Sequence, residues 1–171
     1  MKKIISIITI ITLSGMLLAQ KFAFVDTGYI LNNIPIYETA KTQLDEFSKN
    51  LKEEIDVLKN NIDKLYKDYQ SERVLLTEEL RLKREEEIMK KEKEMRDLQQ
   101  KYFGKDGLVF KKREELIKPI QDDIYNAIKE IAHEGSFDVI FDTSENLQMI
   151  YTDPRKDKSD DVLKKMGYKN K

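Results

Sequence analysis

His133 is the only histidine among 171 residues and cysteine is absent, which removes most of the side chains used for nucleophilic and metal chemistry. No histidine pair can hold zinc or relay a proton, and no thiolate can attack a carbonyl. A chain without cysteine also has no disulfide and no lipid attached through sulfur. Carboxylates remain. Asp153, Asp157, Asp160 and Asp161 are spaced closely enough to suggest a calcium loop. Pro154 follows the first of them and no glycine stands at the sixth position, so the EF-hand pattern fails. A turn followed by a helix cap accounts for these aspartates. There is no glycine-rich phosphate loop and no nucleophile elbow. The chain is therefore expected not to be an enzyme and to carry no cofactor and no metal. His133 reads as a helix-end residue.

Charge narrows the partners. Lys and Arg number 31, Asp and Glu 32, and charged residues make up 37% of the chain. Removing Lys2 and Lys3 with a leader would take the net charge from −1 to −3. Nucleic-acid binders need a one-sided basic excess to neutralise phosphates, so nucleic acid is not an expected partner. Six Gly and three Pro in the whole chain exclude collagen-like and Pro/Gly-rich disordered classes. With 40% hydrophobic residues, part of them in the leader, the chain is thin for a compact globule. Long helix is the expectation.

Lys2 and Lys3 precede an uncharged stretch from Ile4 to Leu18, and Leu18-Ala19-Gln20 offers a small residue for cleavage. That is the layout of a secretory signal peptide over residues 1–19, with the mature chain starting near Gln20. The alternative is a retained membrane anchor. A stretch of about fifteen to seventeen uncharged residues sits at or below the ~17–25 that cross a bilayer, and Ser6, Thr9, Thr12 and Ser14 weaken it further.

The elements that follow come from periodicity. Lys21-Phe22-Ala23-Phe24-Val25-Asp26 alternates as a strand, and Thr27 to Asn33 can make one or two helical turns before Pro35. Tyr37, Ala40, Leu44, Phe47, Leu51, Ile55, Leu58, Ile62, Leu65 and Tyr69 then recur in steps of three and four with no Pro or Gly between them. Such a rhythm makes an amphipathic helix with a narrow coiled-coil stripe. From Glu78 to Asp97, fifteen of twenty residues are charged. Glu79–Lys83, Glu86–Lys90, Glu87–Lys91 and Glu92–Arg96 are acid-to-base pairs four apart, which support a helix with little to bury. Phe110, Ile117, Ile120, Ile124, Ala127 and Ile131 resume the stripe, and helix is expected to about Glu134, ended by Gly135. Phe137 to Asp142 alternates as a strand, and Gln148 to Tyr151 reads as its hairpin partner. Ser159 or Asp160 can cap a last helix over Asp161 to Met166, stopped at Gly167.

Two places could turn the long helix back. Gly104-Lys105-Asp106-Gly107 is the stronger breaker. A turn over Ser71 to Thr77 pairs the arms better, because reflection about residue 74 sets Leu98 near Leu51 and Tyr102 near Phe47. The turn is therefore placed at 71–77. The reading is α+β, mostly α: a long antiparallel helical hairpin over 37–116 on a β-rich body formed by 20–36 and 117–171.

These segments, KFAFVDTGYIL, the charged helical hairpin, FDVIFD and the closing DKSDDVLKKMG, resemble the Skp (OmpH) periplasmic chaperones over essentially the whole mature chain. Gly104–Gly107 and Pro119 depart from an uninterrupted hairpin. The resemblance implies a homotrimer whose strands form a small β-barrel, with Phe22, Phe24, Val25, Phe137, Val139 and Phe141 in the trimer body. It implies a periplasmic, ATP-independent holdase that cages unfolded outer-membrane β-barrel proteins between helical arms and prevents their aggregation. Strand number agrees: about three short strands per chain are too few for a stable sheet alone, and a closed trimer triples them while removing edges.

Client contacts are expected along the arm. Reflection about residue 74 places Leu58, Ile62, Leu65 and Tyr69 opposite Lys90, Glu86, Lys83 and Glu79, leaving that stripe with few apolar partners. Val74, Leu75 and Leu76 at the tip have no helical partner. Two other readings remain: a structural coiled-coil envelope protein without clients, and a charge-driven binder of envelope polymers through Lys83, Arg84, Lys90, Lys91 and Lys93. Peripheral contact with the membrane or such polymers stays open as a further partner class.

Overall fold

A computed structural model describes residues 20–144 and 149–168. The leader at 1–19 and Gln148 of the expected second hairpin strand lie outside the described residues. The chain divides into two compact units: Ile34–Asp123, and the residues up to Asn33 together with those from Ile124 onward.

Within Ile34–Asp123 the main element is α2 (Pro35–Glu72), 38 residues long. Pro35 opens it where a missing N–H is harmless. The ten stripe positions are buried or half-buried, with Ala40, Leu44, Leu51, Ile55, Ile62 and Tyr69 the most enclosed. The chain turns through Arg73 to Thr77 and returns as α3 (Glu78–Phe103), whose N-terminus is capped by the Thr77 hydroxyl accepting from Leu80 N–H. Helix α3 buries only Ile88 and Tyr102, as its charge content dictates. Of the four acid–base pairs expected on it, Glu92–Arg96 closes at 3.7 Å. Other exposed charges choose neighbours three residues away, such as Lys91 with Glu94 at 2.8 Å. Exposed pairs of this kind are weak enough to exchange partners freely.

Reflection about residue 74 holds for the apolar packing near Tyr102: Phe47 and Leu98 both pack against the cluster of Leu51, Ile55 and Tyr102. The tyrosine hydroxyls reach farther. Tyr69 donates to Glu85 where Glu79 was expected, and Tyr102 donates to Glu54 at 2.7 Å. Helical side chains lean toward their own N-terminus. In an antiparallel pair, α2 side chains therefore reach away from the turn and α3 side chains toward it, so long side chains pair with residues beyond those that simple reflection gives.

Gly104 and Gly107 interrupt the returning side. A Cβ at Gly104 would stand 2.3 Å from the Gln100 carbonyl oxygen, and one at Gly107 would stand 2.7 Å from that of Tyr102. Only glycine fits. The chain resumes as α4 (Leu108–Leu116), and Leu51, Ile55 and Tyr102 form a buried cluster with Leu98 and Met95 before the break and Leu108 and Val109 after it. Packing therefore fixes the bend. A second interruption at Ile117 precedes α5 (Lys118–Gly135), where Pro119 sits in the first turn and needs no N–H.

The other unit is built on β1 (Phe22–Val25), which is held on both sides. On one side it pairs in parallel with β2 (Val139–Asp142), Phe22 opposite Val139 and Phe24 opposite Phe141. On the other, Lys158 N–H donates to the Phe24 carbonyl at 2.8 Å beside a bridge to Asp157. The expected antiparallel hairpin is not formed: Met149, Ile150 and Tyr151 belong to no strand, and Ile150 is wholly exposed. A parallel partner supplied by distant β1 replaces the local one.

Helix α1 (Thr27–Asn32) packs against α6 (Ser159–Lys165), with Ala23, Ile30, Val162 and Leu163 fully buried. Ser159 or Asp160 was expected to cap α6, but the helix starts earlier and both lie inside it. Ser159 is the first helical residue, and its buried hydroxyl donates to Asp157 at 2.6 Å and accepts from Asp26 N–H at 2.8 Å. Gly167 takes φ +84°, with Gly167 N–H to Lys164 and Tyr168 N–H to Leu163 closing the helix. The same closure ends α5, but there Ser136, not Gly135, adopts positive φ, at 49°. Gly135 is needed for another reason: a Cβ there would lie 2.2 Å from the Phe137 ring.

Two predictions follow from these contacts. Ser136→Gly relieves a left-handed serine and should raise stability by about 0.5–1 kcal/mol in denaturant unfolding, net of glycine's greater entropy in the unfolded chain. Gly135→Ala should lower it. Asp142 joins the end of β2 to the start of α1, accepting from Thr27 Oγ1 at 2.6 Å, Thr27 N–H at 3.2 Å and Ser144 N–H at 3.0 Å. Partial burial pushes its pKa up, but these donors outweigh burial and hold it below the usual value of 3.8. A carboxylate with a lowered folded-state pKa contributes stability above its unfolded pKa and loses it as pH falls through the folded one. Wild type should therefore lose thermal stability below about pH 4, and Asp142→Asn should be less stable at pH 7 with a flatter acid limb.

Candidate functional site

Two apolar surfaces are left uncovered, one in each unit. Alternation along β1 and β2 sends Ala23 and Val25 to one face, where both are buried. It sends Phe22, Phe24, Val139 and Phe141 to the other. Phe22, Val139 and Phe141 are exposed and Phe24 half-exposed. Their rings already touch, Phe22 edge-on to Phe24 at 5.7 Å and Phe24 to Phe141 at 5.8 Å. Lys156 lies over Phe22 at 5.5 Å, and Lys21 over Phe137 at 5.0 Å. Among the described residues, the outer edge of β2 has no partner strand. Of the six residues expected in a trimer body, four share this face. Val25 is sealed beneath it, and Phe137 lies beside it, half-buried between Lys21 and Gly135.

The second surface is the turn between α2 and α3. Val74 and Leu75 are 86% and 87% exposed, and Leu76 is half-buried. The turn is shaped by its own polar groups: Leu75 N–H donates to the Glu72 carbonyl at 2.8 Å, and Arg81 Nε reaches back to the Arg73 carbonyl at 3.0 Å. Arg84 pairs with Glu72 at 3.5 Å. Charges beside the turn are thus used within it, and the aliphatic side chains point outward.

The stripe expected to be open is partly closed. Ile62 and Tyr69 are buried, and Leu58 and Leu65 are half-buried. Tyr69 shares one hollow with Ile88, and its hydroxyl reaches Glu85, so it is not left opposite Glu79. The Tyr69 hydroxyl is raised above its ordinary pKa by donating to Glu85, with burial acting the same way. The same holds for Tyr102 with Glu54. Each tyrosine therefore keeps its proton and ties α3 to α2. Of the α3 residues expected to cover the stripe, Ile88 is buried but Leu80, Leu82 and Met89 are exposed, as is Phe103 farther along the helix.

The carboxylates that suggested a calcium loop are each committed. Asp153 grips Arg155, Asp157 holds Ser159, Asp160 accepts from Tyr29, and Asp161 pairs with Lys158. Among the described residues no three metal-ligating side chains converge, and no helix is long and apolar enough to cross a membrane.

Comparison with curated proteins gives no match. The family described as outer membrane protein (OmpH-like) matches residues 21–166, which takes in β1, both hairpin helices, β2 and the whole of α6. That span covers most of the chain, and this protein belongs to the OmpH-like family, a family of periplasmic chaperones for outer-membrane proteins.

Proposed function

We propose that the protein is an ATP-independent holdase. It acts as a homotrimer, exported by cleavage of residues 1–19, and encloses unfolded outer-membrane β-barrel proteins between helical arms. The observation that carries this reading is apolar surface left open at two functionally different places. The face bearing Phe22, Phe24, Val139 and Phe141 is flat, belongs to a sheet too small to stand alone, and borders an open strand edge. Covering it with other copies would gain on the order of 1 kcal/mol per half-exposed side chain in each chain. The aliphatic turn at Val74 to Leu76 lies on a unit with no such sheet, where charge keeps a client-bound complex soluble.

Sedimentation of the mature protein should give three times the chain mass. Phe24→Asp or Val139→Asp places a carboxylate on the covered face and should yield monomers, with circular dichroism reporting whether the helices persist. A stable wild-type monomer sinks the assembly. Wild type should also suppress aggregation of a urea-unfolded outer-membrane barrel protein on dilution. Replacing Val74, Leu75 and Leu76 with Ser should weaken that protection without changing the mass. Absence of any protection by wild type would leave a structural coiled-coil protein as the surviving reading.

A further inference from the structure

The seam between α2 and α3 is closed by the chain itself, yet α3 carries a second apolar line. Leu82, Met89 and Phe103 are 60%, 59% and 45% exposed. They stand at seven-residue spacing with Arg96 in the remaining place. Leu75 in the turn before α3 and Phe110 in α4 after it continue the same spacing, and both are exposed. On a straight helix a seven-residue step rotates the side chain by only ~20°, so the rungs on α3 share one face at intervals of about 10.5 Å. Met89 and Phe103 each follow directly after a buried residue, Ile88 and Tyr102, partly buried Met95 precedes Arg96, and Leu82 follows Arg81, which is half-buried. The line is therefore the flank next to the seam. Tyr66 of α2 lines one hollow with Met89 and broadens the rung there.

We infer that this ladder is the surface on which the hairpin holds a non-native polypeptide in extended form. The inference rests on the holdase reading and assigns it a contact surface apart from the turn. A second helix is a poor occupant, because coiled-coil docking needs two apolar positions per heptad and the ladder supplies one. The positions three and four beyond Leu82 and Met89 are Glu85, Glu86, Glu92 and Lys93. A lipid surface is a poor occupant too, since it calls for a broad apolar face bordered by basic residues, and three of those four intervening residues are acidic. An extended chain needs neither. Its apolar side chains settle on separate rungs while its backbone stays wetted against the charges between them. Every contact is small and exposed, so the hold is a sum of weak ones that releases without an energy source.

The test is a triple variant, Leu82→Gln, Met89→Gln and Phe103→Gln, which preserves helix propensity. Its affinity for a fluorescently labelled, urea-unfolded outer-membrane barrel protein is measured beside wild type, with sedimentation and circular dichroism as controls. The expected result is unchanged mass and helicity with affinity reduced about tenfold or more, and wild-type binding that survives half-molar salt. Wild-type binding with equal affinity in the variant overturns the ladder and leaves the holdase reading intact. No binding by wild type overturns the holdase reading itself. A loss of oligomer mass in the variant shows that a second copy occupies this face, and loss only of binding to anionic phospholipid vesicles shows that a membrane does. Either result overturns the assignment. Should the triple variant lose helicity, Met89→Gln alone, at the rung widened by Tyr66, is read for the same fall in affinity.

Discussion

The apolar seam of α2 is two positions in seven wide, so a single neighbouring helix covers it. That one contact settles most of Ile34–Asp123. Helix α3 needs little apolar surface of its own to complete the pair, which leaves the rest of its circumference to charge. Where the seam supplies too little burial, hydroxyl-to-carboxylate bonds from Tyr69 and Tyr102 lock the register. These tyrosines combine a ring that fills the seam with a hydroxyl that reaches its rim, a pairing no aliphatic residue can provide.

A different economy governs the unit around β1. Among the described residues it has two short strands and few large core side chains, and its polar groups do the joining. Ser159 ties the start of α6 to Asp26, Asp142 ties the end of β2 to Thr27, and Lys165 spans Glu130 and Glu134 at 3.0 and 2.6 Å. Hydrogen bonds of this kind are directional and specify position more than they add stability. The unit is thereby precise on its inner side and apolar on its outer side.

The helices and both strands were legible because periodicity reports burial directly. Every stripe residue from Tyr37 to Tyr69 is at least half-buried. Reflection about the turn brought Phe47, Leu51, Leu98 and Tyr102 into one cluster, but not the carboxylates that the Tyr69 and Tyr102 hydroxyls reach, because those depend on the lean and length of side chains. The partner of β2 was missed because proximity in sequence favours a hairpin, whereas the β1 pairing spans 117 residues. Glycine was read as a helix stop at Gly135, yet Ser136 takes the left-handed conformation and Gly135 makes room for a ring. Half of the candidate contact surface was legible at the turn, where no helix can cover Val74 and Leu75. Leu82 and Met89 read as cover for the α2 stripe, whereas both lie exposed among charges, and only seven-residue spacing could have shown the row they share with Phe103.

The placement of β1 between β2 and the Asp157 segment carries a consequence for timing. A chain released from its N-terminus makes Phe22 and Phe24 almost first, but their neighbours come late. Lys21 waits for Asp138, 117 residues on, and Asp26 for Ser159, 133 residues on. The hairpin helices lie wholly between and can form from local contacts in the meantime, while strand closure must wait for both chain ends to meet. The last event in making this molecule is thus the pairing of β1, which stands near the start of the chain. Until then, this member of a chaperone family is itself a chain with an unpaired phenylalanine strand.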